Sequence, residues 1–409
     1  MIETDILIIG AGPGGAATAL FLAKQGVSSV VVDKAAFPRD KVCGDALSGK
    51  VIEVLKKLDP ALVSDLNQHA EFLGSYGVTF VAPNGKDLRV PFKKEITAET
   101  AAPGFISRRI DFDNWLVNEV KKQKSIHLHE NTELRKFERT DTGLRATSKS
   151  GEVFQAKLVV AADGAYSTFA KVIAGLKTEP AHNCFGLRAY YKNVSGLDHQ
   201  NFIELHFLKD FLPGYFWIFP LPNGYANIGT GMRADVMHEK KINLKKEFER
   251  LIATHPAIKG RFAHAEQIGE VKLHGLPLGS KKRTLSGDHY MLIGDAAMLI
   301  DPFTGEGIGN AMMSGMLAAQ QAIACIKAKD FSTKTIAQYD KTVYDRLWSE
   351  LQLSYRMQQL VNVPSIFNFV VNKANSNAVL KETISAMFED LDIRARLKDP
   401  KFYFKLLFS

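Results

Sequence analysis

The chain has 409 residues, 46% of them hydrophobic, and a formal net charge of +8. That length allows one to three domains and that apolar content a well-buried core. No stretch reaches the roughly 18 consecutive apolar residues that cross a bilayer. Cys43, Cys184 and Cys325 lie too far apart for a zinc spacing or a disulfide framework. The basic residues are mostly scattered, and no nucleic-acid motif accompanies them. Glu3 and Asp5 stand where a signal peptide would be basic, so a cytoplasmic protein is expected.

The chain opens on a unit that organises the rest. Ile6 to Ile9 predict a buried strand. Gly10, Gly12 and Gly15 follow at G-x-G-x-x-G spacing, with Pro13, Gly14 and Ala16 in the same turn. Ala16 to Gln25 predict a helix ending at Gly26, and Ser29 to Val32 a second strand that stops at Asp33 and Lys34. Strand, glycine turn, helix, strand and acid together form a dinucleotide-binding βαβ unit. Gly10 permits the tight turn, Gly12 the approach of a pyrophosphate, and Gly15 the packing of helix on strand. The helix N-terminus offers N–H groups to phosphates, and Asp33 is placed to accept from a ribose.

Pro38 and Gly44 mark a loop that can reach back to the ligand, and Val51 to Leu58 predict a helix. Phe72 to Phe92 read as strands around a Pro83-Asn84-Gly85 turn. A helix follows Arg109, Ile126 to Leu128 form a short strand, and Thr132 to Phe154 read as a meander. Lys157 to Asp163 predict a second buried strand, ending at Asp163-Gly164. Cys184 to Gly231 read as an aromatic antiparallel sheet, and Asn243 to His255 as a helix. His289 to Asp295 return to the buried-strand type and end at Gly294-Asp295. A loop with Pro302, Gly305 and Gly307 precedes a small-residue helix from Ile308 to Ile326. The rest is mostly helical, broken at Pro364, and ends in the apolar, basic DPKFYFKLLFS.

Strands ending in acids near residues 33, 163 and 295, with β-rich material between them, suggest one cofactor domain with a second domain inserted. Three distant segments then converge. The glycine turn would hold a diphosphate, Asp295 a polyol hydroxyl, and the helix at Ile308 an electron-rich group. A flavin needs such a set, because its diphosphate, ribityl chain and pyrimidine edge each want a different partner. A positive helix end stabilises the reduced, anionic flavin.

These residues resemble the FAD-dependent oxidoreductases of the p-hydroxybenzoate hydroxylase fold group, and within it the geranylgeranyl reductase family. Lys41-Val-Cys43-Gly44 resembles that family's Lys-x-Cys-Gly loop near the flavin ring. Arg109-x-x-Phe112-Asp113 matches its Arg-x-x-Phe-Asp pattern, which implies that Arg109 approaches the FAD diphosphate. The family more often has Glu where Asp33 stands. Asp163-Gly164, Gly294-Asp295 and the PFTGEGI segment match further flavoprotein motifs. Tyr215-x-Trp217-x-Phe219-Pro220, eight residues, then Gly229-x-Gly231 match the family's substrate-domain motif.

The resemblance implies an α/β fold: a Rossmann-like FAD-binding domain with an inserted antiparallel substrate sheet and a helical C-terminus. Residues 1–71, 105–180 and 276–330 would form the FAD domain, 72–104 a substrate-domain hairpin, 181–275 the substrate sheet and 331–409 the helical end. It implies FAD as cofactor, with NAD(P)H binding transiently or a ferredoxin-type partner as reductant. Cys43 and Trp217 are the candidates beside flavin and substrate. His127 and His129 alternate on a strand without further ligands, so no metal site is expected. Glu306 is a possible proton shuttle, with bracing of its loop favoured.

Three activities remain open: reduction of C=C bonds in an isoprenoid or similar lipid, FAD-dependent oxygenation or halogenation, and electron transfer without catalysis. The aromatic sheet and apolar C-terminus favour the first and allow peripheral contact with a membrane. Halogenases carry a Trp-x-Trp-x-Ile-Pro motif, which Tyr215 to Pro220 match only in part.

Overall fold

The computed structural model describes residues 1–93, 96–97, 100–377 and 380. Its first sheet has eight strands. Strand Ile2–Ile9 lies at its centre, pairing in parallel with Ser29–Val32 on one side and Val153–Ala161 on the other. Ile126–His129 extends the sheet beyond Ser29–Val32, and Tyr290–Leu292 extends it beyond Val153–Ala161. Ile6, Leu7 and Ile8 are fully buried, as a parallel strand covered on both faces requires.

Two expected elements turn out to be one. The last strand of the meander and the buried strand before Asp163 are the single strand Val153–Ala161. Its first half pairs antiparallel with Gly143–Ser148, and there burial alternates. The whole strand runs parallel to Ile2–Ile9, and its second half, which also pairs in parallel with Tyr290–Leu292, is buried at every residue from Leu158 on. The change of pattern reflects a change from one covered face to two.

Helices Pro13–Lys24 and Ile308–Ala328 pack against one another beside this sheet. A Cβ on Gly315 would lie 2.4 Å from the Gly14 carbonyl oxygen. The Thr18 hydroxyl donates to the Gly315 carbonyl at 3.1 Å. Small residues in the later helix permit this approach.

The second sheet has seven strands. In spatial order they are Glu266–Pro277, Asn183–Lys192, Tyr225–Arg233, Tyr215–Pro220, Ile203–His206, Gly77–Val81 and Asp87–Pro91. All neighbours are antiparallel except Ile203–His206 with Gly77–Val81, which are parallel. Glu266–Pro277, a long edge strand, is absent from the predicted elements because charged residues interrupt it. The segment 72–104 serves two sheets: Leu73–Ser75 pairs with Gly104–Ile106 in a separate three-stranded sheet, while 77–91 forms the expected hairpin.

Alternation in Tyr215–Pro220 sorts its aromatic residues by face. Phe216 and Ile218 pack with Phe248 and Leu251 of the helix Leu244–Thr254. Trp217 and Phe219 face the other way, toward Phe303 and Phe367. Helices Gln338–Leu360 and Pro364–Ser376 close this side, with Pro364 at the first turn of the second. The terminal DPKFYFKLLFS lies outside the described residues. No helix among the described residues is long and apolar enough to cross a membrane.

Candidate active site

One cavity of about 620 Å³ lies where the two sheets meet. Its first end is built from backbone. Gly10 has φ +100°, and a Cβ there would stand 2.5 Å from the Ala162 carbonyl oxygen. A Cβ on Gly15 would lie 1.9 Å from the Gly10 carbonyl oxygen, so Gly15 and Ala16 sit beneath the turn rather than in the cavity wall. Gly12, Pro13 and Gly14 do line it. Only the Arg39 guanidinium comes within 4 Å of a Cβ built on Gly12. No side chain caps the helix that starts at Pro13, so its first N–H groups face the cavity without a side-chain acceptor. The Asp33 carboxylate accepts from Ala11 N at 2.7 Å and Ala35 N at 2.9 Å. Lys34 lies beside it in the cavity wall.

Arg109, which the motif places toward the diphosphate, lines the cavity. It is buried and forms a double hydrogen bond to Asp113, at 2.7 Å for each arm. Burial opposes ionisation of Asp113, yet Arg109, then Arg39 and Lys41, hold its carboxyl below the usual range. Arg39, which bonds Asp113 from the other side at 2.5 Å, is the guanidinium next to Gly12. Asp113 thus holds two guanidiniums in the cavity wall, Arg109 and Arg39, the second of them at the glycine turn.

In the middle of the cavity Lys41 pairs with Asp295 at 2.9 Å. Burial again opposes ionisation, and Lys41 overcomes it to hold Asp295 below the usual range. A Cβ on Gly307 would come within 3.4 Å of Asp295 Oδ1, so Asp295 and the start of helix Ile308–Ala328 converge. Gly164, Gly294, Gly305 and Ile308 also line this stretch. Asp163 braces its turn by accepting from Phe169 N at 3.4 Å, while its Oδ1 is buried without a partner among the described residues.

Side chains build the other end. Tyr215, Trp217 and Phe219 line it together with Leu205, Phe105 and Ile106. The Tyr215 hydroxyl donates to the Thr304 carbonyl at 3.0 Å, joining the aromatic strand to the loop before Ile308. Trp217 Nε1 donates to Asn227 Oδ1 at 2.8 Å. Asn227 in turn donates to the Cys43 carbonyl and to Asp45 Oδ2, each at 2.8 Å. Tyr190 donates to the same Asp45 oxygen at 2.8 Å. Burial pushes Asp45 up to about 6, against the pull of Arg188. Burial also raises the Cys43 thiol, which is therefore neutral at pH 7. Phe219 lies against Gly44: a Cβ there would meet its ring at 3.0 Å.

Like Gly15 and Ala16, the motif residues Pro220, Gly229, Gly231 and Pro302 stand outside the cavity wall. Gly229 lies under Trp217, whose ring would be 2.1 Å from a Cβ. Gly231 and Pro302 line a small neighbouring pocket, and Pro220 lines neither. The Pro302 carbonyl accepts from Gln358 at 2.6 Å. Gly229 and Gly231 belong to strand Tyr225–Arg233, so their G-x-G letters form no phosphate turn.

The family described as FAD binding domain matches residues 3–352. A digeranylgeranylglycerophospholipid reductase of Thermoplasma volcanium is 30% identical over 84% of this chain and 83% of its own. The chain belongs to the geranylgeranyl reductase family. It is accordingly a FAD-dependent oxidoreductase. The crystal structure of a geranylgeranyl bacteriochlorophyll reductase-like protein from Thermoplasma acidophilum superposes with a TM-score of 0.78 at 26% identity, covering 93% of this chain and 92% of that one. A flavin-dependent brominase shares the fold, with a TM-score of 0.77 at 21% identity over 94% of this chain and 93% of its own.

In this member of the reductase family, several cavity residues escape the motifs. Arg188 is 2% exposed, bonds Asp40 through Nη2 at 2.9 and 3.0 Å, and stacks over Tyr190 at 4.0 Å. An arginine between Leu187 and Ala189 in an apolar strand was the available signal. Asn227, fully buried behind the wall between Ala226 and Ile228, offers the same signal, whereas Asp45 in its loop and Lys50, Arg346 and Glu350 on helices do not.

Proposed function

We propose that this flavoprotein saturates carbon–carbon double bonds in the polyprenyl chains of a lipid. The observation that carries the reading is the continuity of one cavity from an uncapped helix N-terminus and glycine turn to a wall of aromatic side chains. The Thermoplasma volcanium relative, named for a digeranylgeranylglycerophospholipid substrate, supports the substrate class.

The residues present fit FAD. The space over Gly12 and the free N–H groups after it suit a diphosphate. Asp33 with Lys34 would hold the adenosine ribose, and Lys41 with Asp295 the ribityl hydroxyls. The N-terminus of helix Ile308–Ala328 would face the pyrimidine edge, with Cys43 and Gly44 beside the ring. When bound and reduced, FAD supplies a hydride. Tyr215, Trp217 and Phe219 exclude water and hold an apolar chain against that position. Asn227 fixes the Trp217 indole and the Cys43 carbonyl through one amide. The reductant is NAD(P)H bound transiently or a ferredoxin-type protein.

A lipid substrate also favours peripheral contact with a membrane. Leu360, Val363, Ile366 and Phe369 are exposed at threefold spacing, and the Phe369 side is 60% exposed. Phe369→Glu is expected to weaken co-sedimentation with lipid vesicles several-fold; unchanged sedimentation would remove this face from the proposal.

The deciding experiment is anaerobic. The FAD-loaded protein is reduced with dithionite and given digeranylgeranylglycerophospholipid. Reoxidation of the flavin with a product heavier by two hydrogens per bond supports the reading. A flavin that stays reduced until air is admitted, and then yields an oxygenated or halogenated product, overturns it.

A further inference from the structure

Saturating a double bond needs a proton as well as a hydride, and among the motif residues Glu306, in the PFTGEGI segment, is the acid expected chiefly to brace its loop. Resting on the function proposed above, we propose that Glu306 is the catalytic acid that delivers this proton. Three observations of the wall around it carry the assignment.

Glu306 lines the cavity one residue beyond Gly305, on the loop that Tyr215 fastens through Thr304. A Cβ on Gly305 would stand 3.1 Å from the Tyr215 hydroxyl oxygen, so this loop and the aromatic wall are in contact. The loop that carries the acid is therefore fastened to the wall against which an apolar chain would lie.

The two carboxyl oxygens are inequivalent. Oε1 accepts from Gly309 N at 2.5 Å and from the Ser48 hydroxyl at 3.1 Å. Oε2 is buried with no hydrogen-bond partner among the described residues. A loop brace needs only the first oxygen. An unpartnered buried carboxylate oxygen is costly, whereas an O–H there has a proton to give. Burial accordingly raises the Glu306 carboxyl above its ordinary range, against the pull of Lys50, with Asp301 adding to the rise.

The wall behind it is charged but internally paired. Lys50 bonds Glu350 at 2.6 Å and Asn310 at 3.0 Å. Glu350 also holds Arg346 at 2.9 Å, and Arg346 reaches Glu53 at 2.8 Å. Lys50 is thus half-neutralised by Glu350. It tolerates a neutral Glu306 before the reaction and faces the carboxylate left after it.

The balance of the step is simple. The alkene π bond breaks, and one carbon gains the hydride. The other forms a C–H bond with the proton released from the Glu306 O–H bond. The alkene is reduced by two electrons, the flavin is oxidised, and Glu306 remains as carboxylate until water reprotonates it.

Glu306→Gln keeps the length of the side chain and an acceptor for Gly309 N. It should lower the rate of anaerobic flavin reoxidation by digeranylgeranylglycerophospholipid by about 10²–10⁴-fold, the range for loss of a general acid. FAD content and lipid KM should hold, and Glu306→Asp should recover part of the rate. A Glu306→Gln rate within twofold of wild type overturns the assignment. Infrared spectroscopy of the FAD-loaded protein supplies a second readout, independent of turnover. A protonated-carboxyl C=O band at pH 7 should disappear in Glu306→Gln; an identical spectrum overturns the assignment. Should the wild-type protein fail to reduce the lipid, the function reading falls, while the infrared band still decides where the proton resides.

Discussion

The two ends of the cavity are built on opposite principles. At the nucleotide end the working surface is backbone, and glycines keep side chains out of it. Gly10 and Gly15 are locked against carbonyl oxygens, and Gly12 leaves open space. At the aromatic end the working surface is side chain, delivered by a strand whose alternation sends Trp217 and Phe219 to the cavity and Phe216 and Ile218 to a separate core. A backbone-built site tolerates almost no substitution. A side-chain-built site can be retuned, because volume can be traded among neighbours.

The sharpest way to break this contrast is Gly15→Ala. The added methyl group would meet the Gly10 carbonyl at 1.9 Å, which no side-chain rotation relieves. The expected product is a protein purified without flavin absorbance. Retention of FAD at wild-type stoichiometry would show that the turn yields more readily than its packing suggests.

Asp45 tests the seam between the two ends. Its φ of 70° suits Asp or Asn, so Asp45→Asn should fit the backbone. The native carboxyl, at about 6, binds its proton more tightly than an unfolded aspartate near 4. Its contribution to stability is therefore complete below the unfolded value and is lost as the pH rises through about 6. Thermal denaturation should show wild-type stability falling across that window by about 3 kcal/mol. The fall should be absent in Asp45→Asn, and a parallel fall in the variant would assign it to another group.

The smallest expected effect lies at the aromatic end. Phe219→Leu changes shape with little change of character and should cost under about 1.5 kcal/mol of stability. FAD should remain bound while KM for the lipid rises several-fold. Flavin loss in this variant, measured by its spectrum, would show that the two ends are one mechanical unit.

The same contrast decides what the sequence reveals. The βαβ unit is legible because close backbone approach demands glycine at fixed spacing, and spacing survives in one dimension. The aromatic strand is legible because alternation has a period of two. Arg109 is half legible: its motif puts it toward the cofactor and it does line the cavity, but the capture of both arms of its guanidinium by Asp113, four residues on, shows only in the fold. Arg188 stands out inside its apolar strand, but its partner Asp40 does not, nor do Lys50 and Glu350, and these pairings across long stretches of chain appear only when the fold joins them. The strand Glu266–Pro277 is missed for a related reason: as an edge strand it is half exposed, and its charges hide its pairing.

The shared strand Val153–Ala161 also governs the order in which the chain can assemble. Ile2–Ile9 leaves the ribosome before the strands it pairs with, and Ser29–Val32 can join it early. Its other edge waits for residues 154–161, and that strand in turn waits for 290–292. Until then Ile6 to Ile9, all buried in the finished fold, present an open row of N–H and C=O groups, the arrangement most prone to pairing with another chain. Long-range closure of this kind is slow, so a nascent chain ending before residue 153 carries an aggregation hazard that the completed protein conceals.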